Sequence, residues 1–213
     1  HARGKKVYVT ANIFAKNADF AALADYFRYL QEIGADAALV TDAGAFALAR
    51  KVAPNLPLHL STQANTTNAY AARFWQEAGA ERVVLARELS LKEIAQIGEF
   101  CPGLELEAFV HGAMCISYSG RCLLSNYLAG RDSNRGECVQ ACRWKFELRA
   151  RREEGGALYA EEDGRGTYLL NSKDLNMLSY LDEMRRAGVC SFKIEGRMKS
   201  SYYLATVVNA YRR

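Results

Sequence analysis

Short apolar runs rich in β-formers alternate with helical stretches along the first half of the chain, and this rhythm limits the fold more than any other feature. Residues 6–13 (KVYVTANI) read as a strand; residues 19–33 then place Phe20, Leu23, Ala24, Phe27, Leu30 and Ile33 at helical spacing before Gly34. Residues 37–41 predict a second strand and the Ala-rich stretch to about Val52 a second helix, with Pro54 and Pro57 punctuating the turn. Strand is predicted over 58–61 and 82–86, and helix over 69–78 up to Gly79. Ser90, with Glu93 three residues on, forms a capping box for the next helix, and 104–110 read as another strand. Strands and helices in this order build parallel βαβ units, and nearly wholly apolar strands suit a sheet covered on both faces.

The strand ends separate a barrel from an open sheet. Most are polar: Asn12, Asp42, Ser61-Thr62-Gln63, Arg87-Glu88 and His111. In barrel enzymes the C-terminal strand ends carry the chemistry. No glycine-rich dinucleotide fingerprint follows any strand, which argues against a Rossmann sheet. The expected fold is therefore α/β, a TIM-like (β/α) barrel that is incomplete in this chain. Residues 1–112 supply barrel units, 113–166 a long cysteine-rich insertion, and 167–213 the closing units of the same domain. Within the insertion, 149–156 and 161–166 read as an exposed hairpin or loop. Beyond it, strands are predicted at 167–170 and 191–194, and helices at 173–187 and 200–211. The chain opens on His1, almost inside a strand, and ends inside a helical pattern, so it reads as part of a longer chain.

Composition sets the setting. Half of the 213 residues are apolar and a quarter are charged, a globular balance, and no apolar run approaches the roughly 18–20 residues that span a bilayer. No signal-peptide pattern is present. The net charge of +4 is uneven: residues 1–111 carry 11 Lys/Arg against 12 Asp/Glu, residues 112–213 carry 17 against 12. A basic half can face a polyanion such as RNA, or be an ordinary solvated surface. Six cysteines without a secretion signal point to a reduced, cytoplasmic protein rather than a disulfide scaffold.

Four of those cysteines, Cys115, Cys122, Cys138 and Cys142, fall within 28 residues. Thiolates are soft ligands that suit zinc, Cu(I) or iron–sulfur clusters, and four in one loop can meet at one centre. The spacing is not that of a zinc ribbon. Gly112, Gly120, Gly130 and Gly136 supply turns, and Arg121, Arg131, Arg135 and Arg143 put positive charge beside the thiols. Gln63, Arg87, Glu88 and His111 at strand ends form a candidate pocket set. Lys193, inside the last strand, with Glu195 and Arg197 after it, offers cations for a carboxylate or phosphate, or an ion pair inside the barrel. His59, within a strand, reads as a core histidine.

Glu107, Phe109, Gly112, Ala113, Met114, Cys115, Gly120, Cys122 and Ser125 stand as in the signature of the peptidase U32 family. RDSNRGECVQACRW, NSKDLNMLSYLDEMRRAGVCSFKIEGRMKS, LHLSTQANTTN and RVVLARELS extend the match over essentially the whole chain. The sequence resembles the collagenase-like branch that includes tRNA 5-hydroxyuridine modification proteins; relatives hydroxylate ribosomal RNA or serve ubiquinone hydroxylation. Members usually begin with two more βα units. The resemblance implies an enzyme that hydroxylates a tRNA uridine with a 4Fe-4S iron–sulfur cluster, with zinc as the alternative, and with ligands that include Cys115, Cys122 and Cys138. Asn176 stands where relatives have a fourth ligand cysteine, which leaves three outcomes open: Cys142 as the fourth thiolate, a weaker three-cysteine site, or no site. tRNA or another RNA, an anionic small-molecule oxygen donor and a partner subunit are the expected partners, with no membrane. The alternatives are a peptidase, as the family name states, and a non-enzymatic scaffold. Neither an HExxH nor a GxSxG motif is present, which leaves a Cys/His nucleophile with His111 as the peptidase chemistry.

Overall fold

The computed structural model describes residues 3–144, 162–163, 166–167 and 174–213. Among the described residues, six parallel strands form one sheet in the order β1 (Tyr8–Ala11), β2 (Ala37–Val40), β3 (Leu58–Leu60), β4 (Arg82–Val84), β5 (Glu105–Gly112) and, further along the chain, β9 (Val189–Ile194). Helices α1 (Phe20–Glu32), α2 (Ala43–Val52), α3 (Ala69–Glu77) and α4 (Leu91–Phe100) connect the first five. Each new strand adds beside the last, without the reversal of order that defines a doubly wound sheet. The result is a parallel α/β half-barrel, with β1 and β9 at its two edges among the described residues.

After β5 the chain leaves the sheet. It passes through the short helix α5 (Leu124–Ala129) and three single turns, Tyr118–Gly120, Ser133–Arg135 and Ala141–Arg143. A two-residue antiparallel ladder joins β6 (Glu162–Asp163) to β7 (Gly166–Thr167). Most of the hairpin stretch expected at 149–156 and 161–166, and most of the strand expected at 167–170, lie outside the described residues. The helix expected over 173–187 is shorter than its sequence pattern. Leu175–Asn176 instead form β8, antiparallel to His111–Gly112, and α6 runs only over Leu181–Arg186. The free backbone at the end of β5 takes these residues into its ladder, with Met177 N–H donating to the Val110 carbonyl at 2.9 Å. The chain closes with α7 (Ser201–Tyr211).

Strand periodicity sorts the side chains into two layers. On the outer face Ala38, Val40, Leu58, Leu60, Val83, Leu106 and Ala108 pack against Phe27, Leu30, Phe46, Ala72, Ile94 and Ile97 from the helices. Phe27 and Phe46 are fully buried there, each contributing roughly 1.5–3 kcal/mol. Leu39, Val84 and Phe109 face inward as a smaller cluster with Tyr8 and Leu175. Local capping fixes the helix starts: Asp42 accepts from Ala45 N–H, Asn68 from Ala71 N–H and Ser200 from Tyr203 N–H, while Ser90 and Glu93 make the expected capping box.

Two features shape the upper rim. Gly112 has φ +105°, and a Cβ there would collide with the Glu195 carbonyl, so only glycine lets the ends of β5 and β9 approach this closely. Just before it, the pairing of Phe109 with Lys193 is followed by that of His111 with Ile194, an extra residue on β5. This bulge turns His111 off the inward face that Phe109 occupies.

Candidate functional site

A cavity of about 230 Å³ opens at the C-terminal ends of the parallel strands. Its floor is Thr10, Leu39 and Phe109, its strand-end wall Asn12, Ser61, Gln63, Arg87, Lys193 and Glu195, and its roof the loop segments that carry Cys115, Cys122, Cys138 and Cys142. Arg143, Arg197 and Met198 complete the rim.

The strand-end polar groups are held by one another. Gln63 Oε1 accepts from Asn12 Nδ2 at 2.9 Å, with Thr41 Oγ1 at 3.4 Å, and Asn12 also donates to Ser61 Oγ. The guanidinium carbon of Arg87 lies 3.7 Å from the centre of the Phe109 ring, a close cation–π contact. Burial pulls the Arg87 pKa below its usual range, against the opposing pull of Glu195, Cys115 and Glu88.

Beneath the cavity lies a buried ion network. Glu107 accepts from Arg82 at 3.1 Å, from Ser191 Oγ at 2.8 Å and from Lys193 Nζ at 3.0 Å, and Arg82 also pairs with Glu105 at 2.5 Å. Burial pushes the Glu107 carboxyl up, but Lys193, Ser191 and Arg82 outweigh it and hold it below the ordinary range. Lys193 thus forms an ion pair inside the half-barrel, and its ammonium reaches the cavity wall already neutralised. Arg143 pairs with Asp174 and Arg135 with Asp19, whereas Arg87 and Arg197 have no ion-pair partner among the described residues.

The loop that carries the cysteines is fastened to the half-barrel at several points. Glu88 accepts from the Ser119 N–H at 2.7 Å, and the Ser119 hydroxyl donates to Asn65 Oδ1 at 2.6 Å. Ser119 and Asn65 both have positive φ, so two left-handed turns are locked together. Arg121 donates to the Gln63 carbonyl, and Arg135 donates to the Phe14 carbonyl and the Asp19 carboxylate. All four loop thiols reach the one cavity. Burial raises the Cys115 and Cys142 thiols. Burial also pushes Cys122 up, but hydrogen bonds from Ser117, Leu124, Ser125 and Ser133 outweigh it and leave its pKa lowered. Among the described residues no three His, Cys, Asp or Glu side chains are grouped so as to hold a single metal ion.

Of the expected strand-end set, the cavity gathers Gln63, Arg87, Lys193, Glu195 and Arg197 with the four cysteines. It does not gather Glu88, which is exposed and clamps Ser119, nor His111. The bulge sends His111 outward to α7, where its Nδ1 lies 3.2 Å from the Tyr211 hydroxyl. Asn176 does not meet the thiols either: its Oδ1 lies 3.3 Å from the same hydroxyl and is not part of the cavity lining. His59 is buried as expected, edge-on to Tyr8 at 4.8 Å; burial, then Arg82, push its pKa down to about 4. Sequence reasoning passed over Arg82, Glu107 and Ser191 as a network. The signal was their place on the inward parity of three adjacent strands.

The model of peptidase family U32 matches residues 1–213. The chain is 47% identical to the tRNA hydroxylation protein P1 of Bacillus subtilis (strain 168), over 99% of this chain and 49% of that protein. It is 39% identical to the tRNA hydroxylation protein P of Escherichia coli (strain K12), over 100% of this chain and 56% of that one. A 23S rRNA 5-hydroxycytidine synthase of the same organism is 35% identical, over 100% of this chain and 31% of the synthase. The chain spans about half the length of the tRNA hydroxylation proteins it matches. With a family match from the first residue to the last, the chain belongs to peptidase family U32.

Proposed function

We propose that the protein to which this chain belongs is an enzyme that hydroxylates RNA, at C5 of a tRNA uridine, rather than one that cuts peptide bonds. The observation that carries this reading is the make-up of one cavity: four thiols and two guanidiniums without ion-pair partners, Arg87 and Arg197, at the strand ends, with His111 outside it. A Cys/His peptidase needs its imidazole within hydrogen-bond reach of the thiol, and His111 is instead engaged with Tyr211. The printed names of the relatives support RNA as the substrate class.

Cys115, Cys122 and Cys138, with Cys142 on the same wall, would hold an iron–sulfur cluster, zinc being the alternative. Their polarity suits such a group, since Leu124 N–H and Gln140 N–H each donate to a cysteine Sγ at 3.3 Å, but their spacing does not, because no three of the described thiols are grouped to hold one metal ion. An iron–sulfur cluster held there would supply redox chemistry. Arg87 and Arg197 bind an anionic group, either an RNA phosphate or an anionic small molecule that donates the oxygen. Arg87, held over Phe109, keeps a fixed direction into the cavity, and Gln63, fixed by Asn12, offers its amide N–H groups to a ligand. Glu107 keeps Lys193 at the wall without adding net charge there.

The half-barrel is read as part of a TIM-like barrel that further strands of the parent chain, or a partner subunit, complete at the β1 and β9 edges. Residues 113–166 are read as its cysteine-rich insertion. No helix of the described residues is long and apolar enough to cross a membrane. With tRNA as its substrate, the enzyme is read as cytoplasmic. The test is deletion of the parent gene, with 5-hydroxyuridine in tRNA and gelatin cleavage measured together. Lost hydroxyuridine, restored by wild type but not by Cys122→Ser, supports the reading. Unchanged tRNA with lost, complementable proteolysis overturns it.

A further inference from the structure

We infer that Gln63 reads the target base: its amide N–H donates to the C4 carbonyl of uracil and so selects uridine over cytidine. The inference rests on the RNA-hydroxylation reading above and deepens it by naming the group that sets the base.

Gln63 follows β3 and stands on the strand-end wall of the cavity. Its acceptor atoms are taken by three segments far apart in sequence. The carbonyl oxygen accepts from Arg121 Nε at 3.0 Å, and Oε1 accepts from Asn12 Nδ2 at 2.9 Å, with Thr41 Oγ1 at 3.4 Å. The side-chain Cγ lies beside Gly120, 3.8 Å from where a Cβ there would stand. Asn12 is itself held in one sense, because the same Nδ2 also donates to Ser61 Oγ at 3.2 Å, and an amide nitrogen carries two hydrogens. What is left is Gln63 Nε2. It carries two donors and has no partner among the described residues. The floor beside it is apolar, formed by Leu39 and the Phe109 ring. A fixed donor at the edge of an apolar floor suits a flat ring with a carbonyl on its rim.

The chemistry of the pyrimidines chooses the atom. Uracil and cytosine share the C2 carbonyl and differ at C4, where uracil has an acceptor oxygen and cytosine a donor amino group. C4 is bonded to C5, so a base held in the cavity for reaction at C5 brings its C4 substituent in with it. Gln63 Nε2 then meets an acceptor in uridine and a second donor in cytidine. Two donors face to face leave both groups without a hydrogen bond, and sites that discriminate in this way do so more sharply than sites that sort by shape. The orientation of the Gln63 amide sets the choice, and Asn12 sets that orientation. Asn12 is therefore a positioning residue for base selection.

The test is made in cells that lack the parent gene, so that the host supplies any co-substrate. The full-length protein is expressed together with a substrate tRNA carrying either uridine or cytidine at the modified position. 5-Hydroxyuridine and 5-hydroxycytidine are counted by mass spectrometry of the recovered tRNAs, and thermal melting of each purified variant confirms folding. Wild type is expected to favour uridine by at least about tenfold. Gln63→Glu keeps the contact with Asn12 and turns an acceptor into the cavity. Asn12→Asp leaves Gln63 in place but offers its amide an acceptor, so the amide turns over and Oε1 faces the cavity. Both are expected to move the uridine-to-cytidine ratio toward cytidine by at least about tenfold, and Gln63→Ala to bring it toward parity. A merely structural role lowers both products together and leaves their ratio alone. Folded variants with an unchanged ratio, or a wild type that hydroxylates both tRNAs equally, overturn the inference and leave the RNA reading standing. A wild type that hydroxylates neither tRNA overturns the RNA reading itself, and the inference with it.

Discussion

Changing Glu107 to Gln strands cations beneath the cavity while keeping the shape of the side chain. Glu107 is buried and accepts from Lys193 at 3.0 Å, from Arg82 at 3.1 Å and from Ser191 at 2.8 Å. Its lowered pKa keeps it ionised at pH 7. In Glu107→Gln the amide still accepts from Ser191, and Arg82 keeps Glu105 at 2.5 Å. Lys193 loses the carboxylate at its ammonium. Removing one partner of a buried pair costs about 3–5 kcal/mol, and the lysine side chain, 28% exposed, recovers some hydration, so the expected loss is about 2–3 kcal/mol. With an m-value of about 2 kcal/mol/M, the urea midpoint falls by about 1–1.5 M. Unfolding of the full-length protein at pH 7 is followed through the fluorescence of Trp75, which packs against Phe46 in the core. The double variant Glu107→Gln/Lys193→Met removes the stranded ammonium and is expected to regain at least half of the loss. A single-variant loss below about 0.5 kcal/mol, or a double variant no better than the single, would refute the claim that Glu107 works by neutralising Lys193.

Four further outcomes follow from the geometry. His59 is neutral in the fold, with its pKa lowered to about 4 against about 6.5 unfolded, so its contribution is complete above pH 6.5 and is lost as pH falls from 6.5 through 4; His59→Leu is expected to remove about 2 kcal/mol of the wild-type loss of stability between pH 7.5 and 5, read from urea midpoints at both. Glu88→Ala unfastens the Ser119 turn, and hydrogen exchange over residues 117–122 is expected to speed up at least about tenfold with little change elsewhere. Gly112→Ala forces a side chain onto the Glu195 carbonyl at positive φ and is expected to cost more than about 2 kcal/mol, read from the urea midpoint. Arg197→Ala is expected to weaken RNA or anion binding and, if its partner is a phosphate, to reduce the salt slope of RNA binding by about one; an unchanged slope assigns Arg197 to a small anion instead.

The order of the elements was legible in the sequence because it is written in local chemistry. Short buried apolar strand runs, the Ser90–Glu93 capping box, and glycines such as Gly34 and Gly79 at helix ends are each decided within about one turn of chain. The polar residue at the end of a strand was equally legible, and it predicted Gln63, Arg87, Lys193, Glu195 and Arg197 on one wall. The cysteines announced themselves by spacing. His111 failed for a reason that spacing cannot carry: one extra residue in β5, seen only against its partner β9, reverses its side. The helix pattern at 173–187 failed similarly, since Leu175–Asn176 lie in a ladder with the end of β5, a pairing over more than 60 residues. Glu88 was placed correctly at a strand end, but the Ser119 turn that approaches it captured it as an anchor.

What the sequence determined by itself was the parallel α/β architecture, the wall of polar strand ends and the presence of a thiol-rich loop over them. Each of these depends on side-chain periodicity or on residue type within a short window. The tertiary structure decided which of those residues share a cavity, and it paired Glu107 with both Arg82 and Lys193, leaving Arg87 and Arg197 on the cavity without ion-pair partners among the described residues. Hydrogen-bond polarity and charge neutralisation depend on where a second segment's dipoles and charges come to rest, and that position is fixed only when the strands are in register.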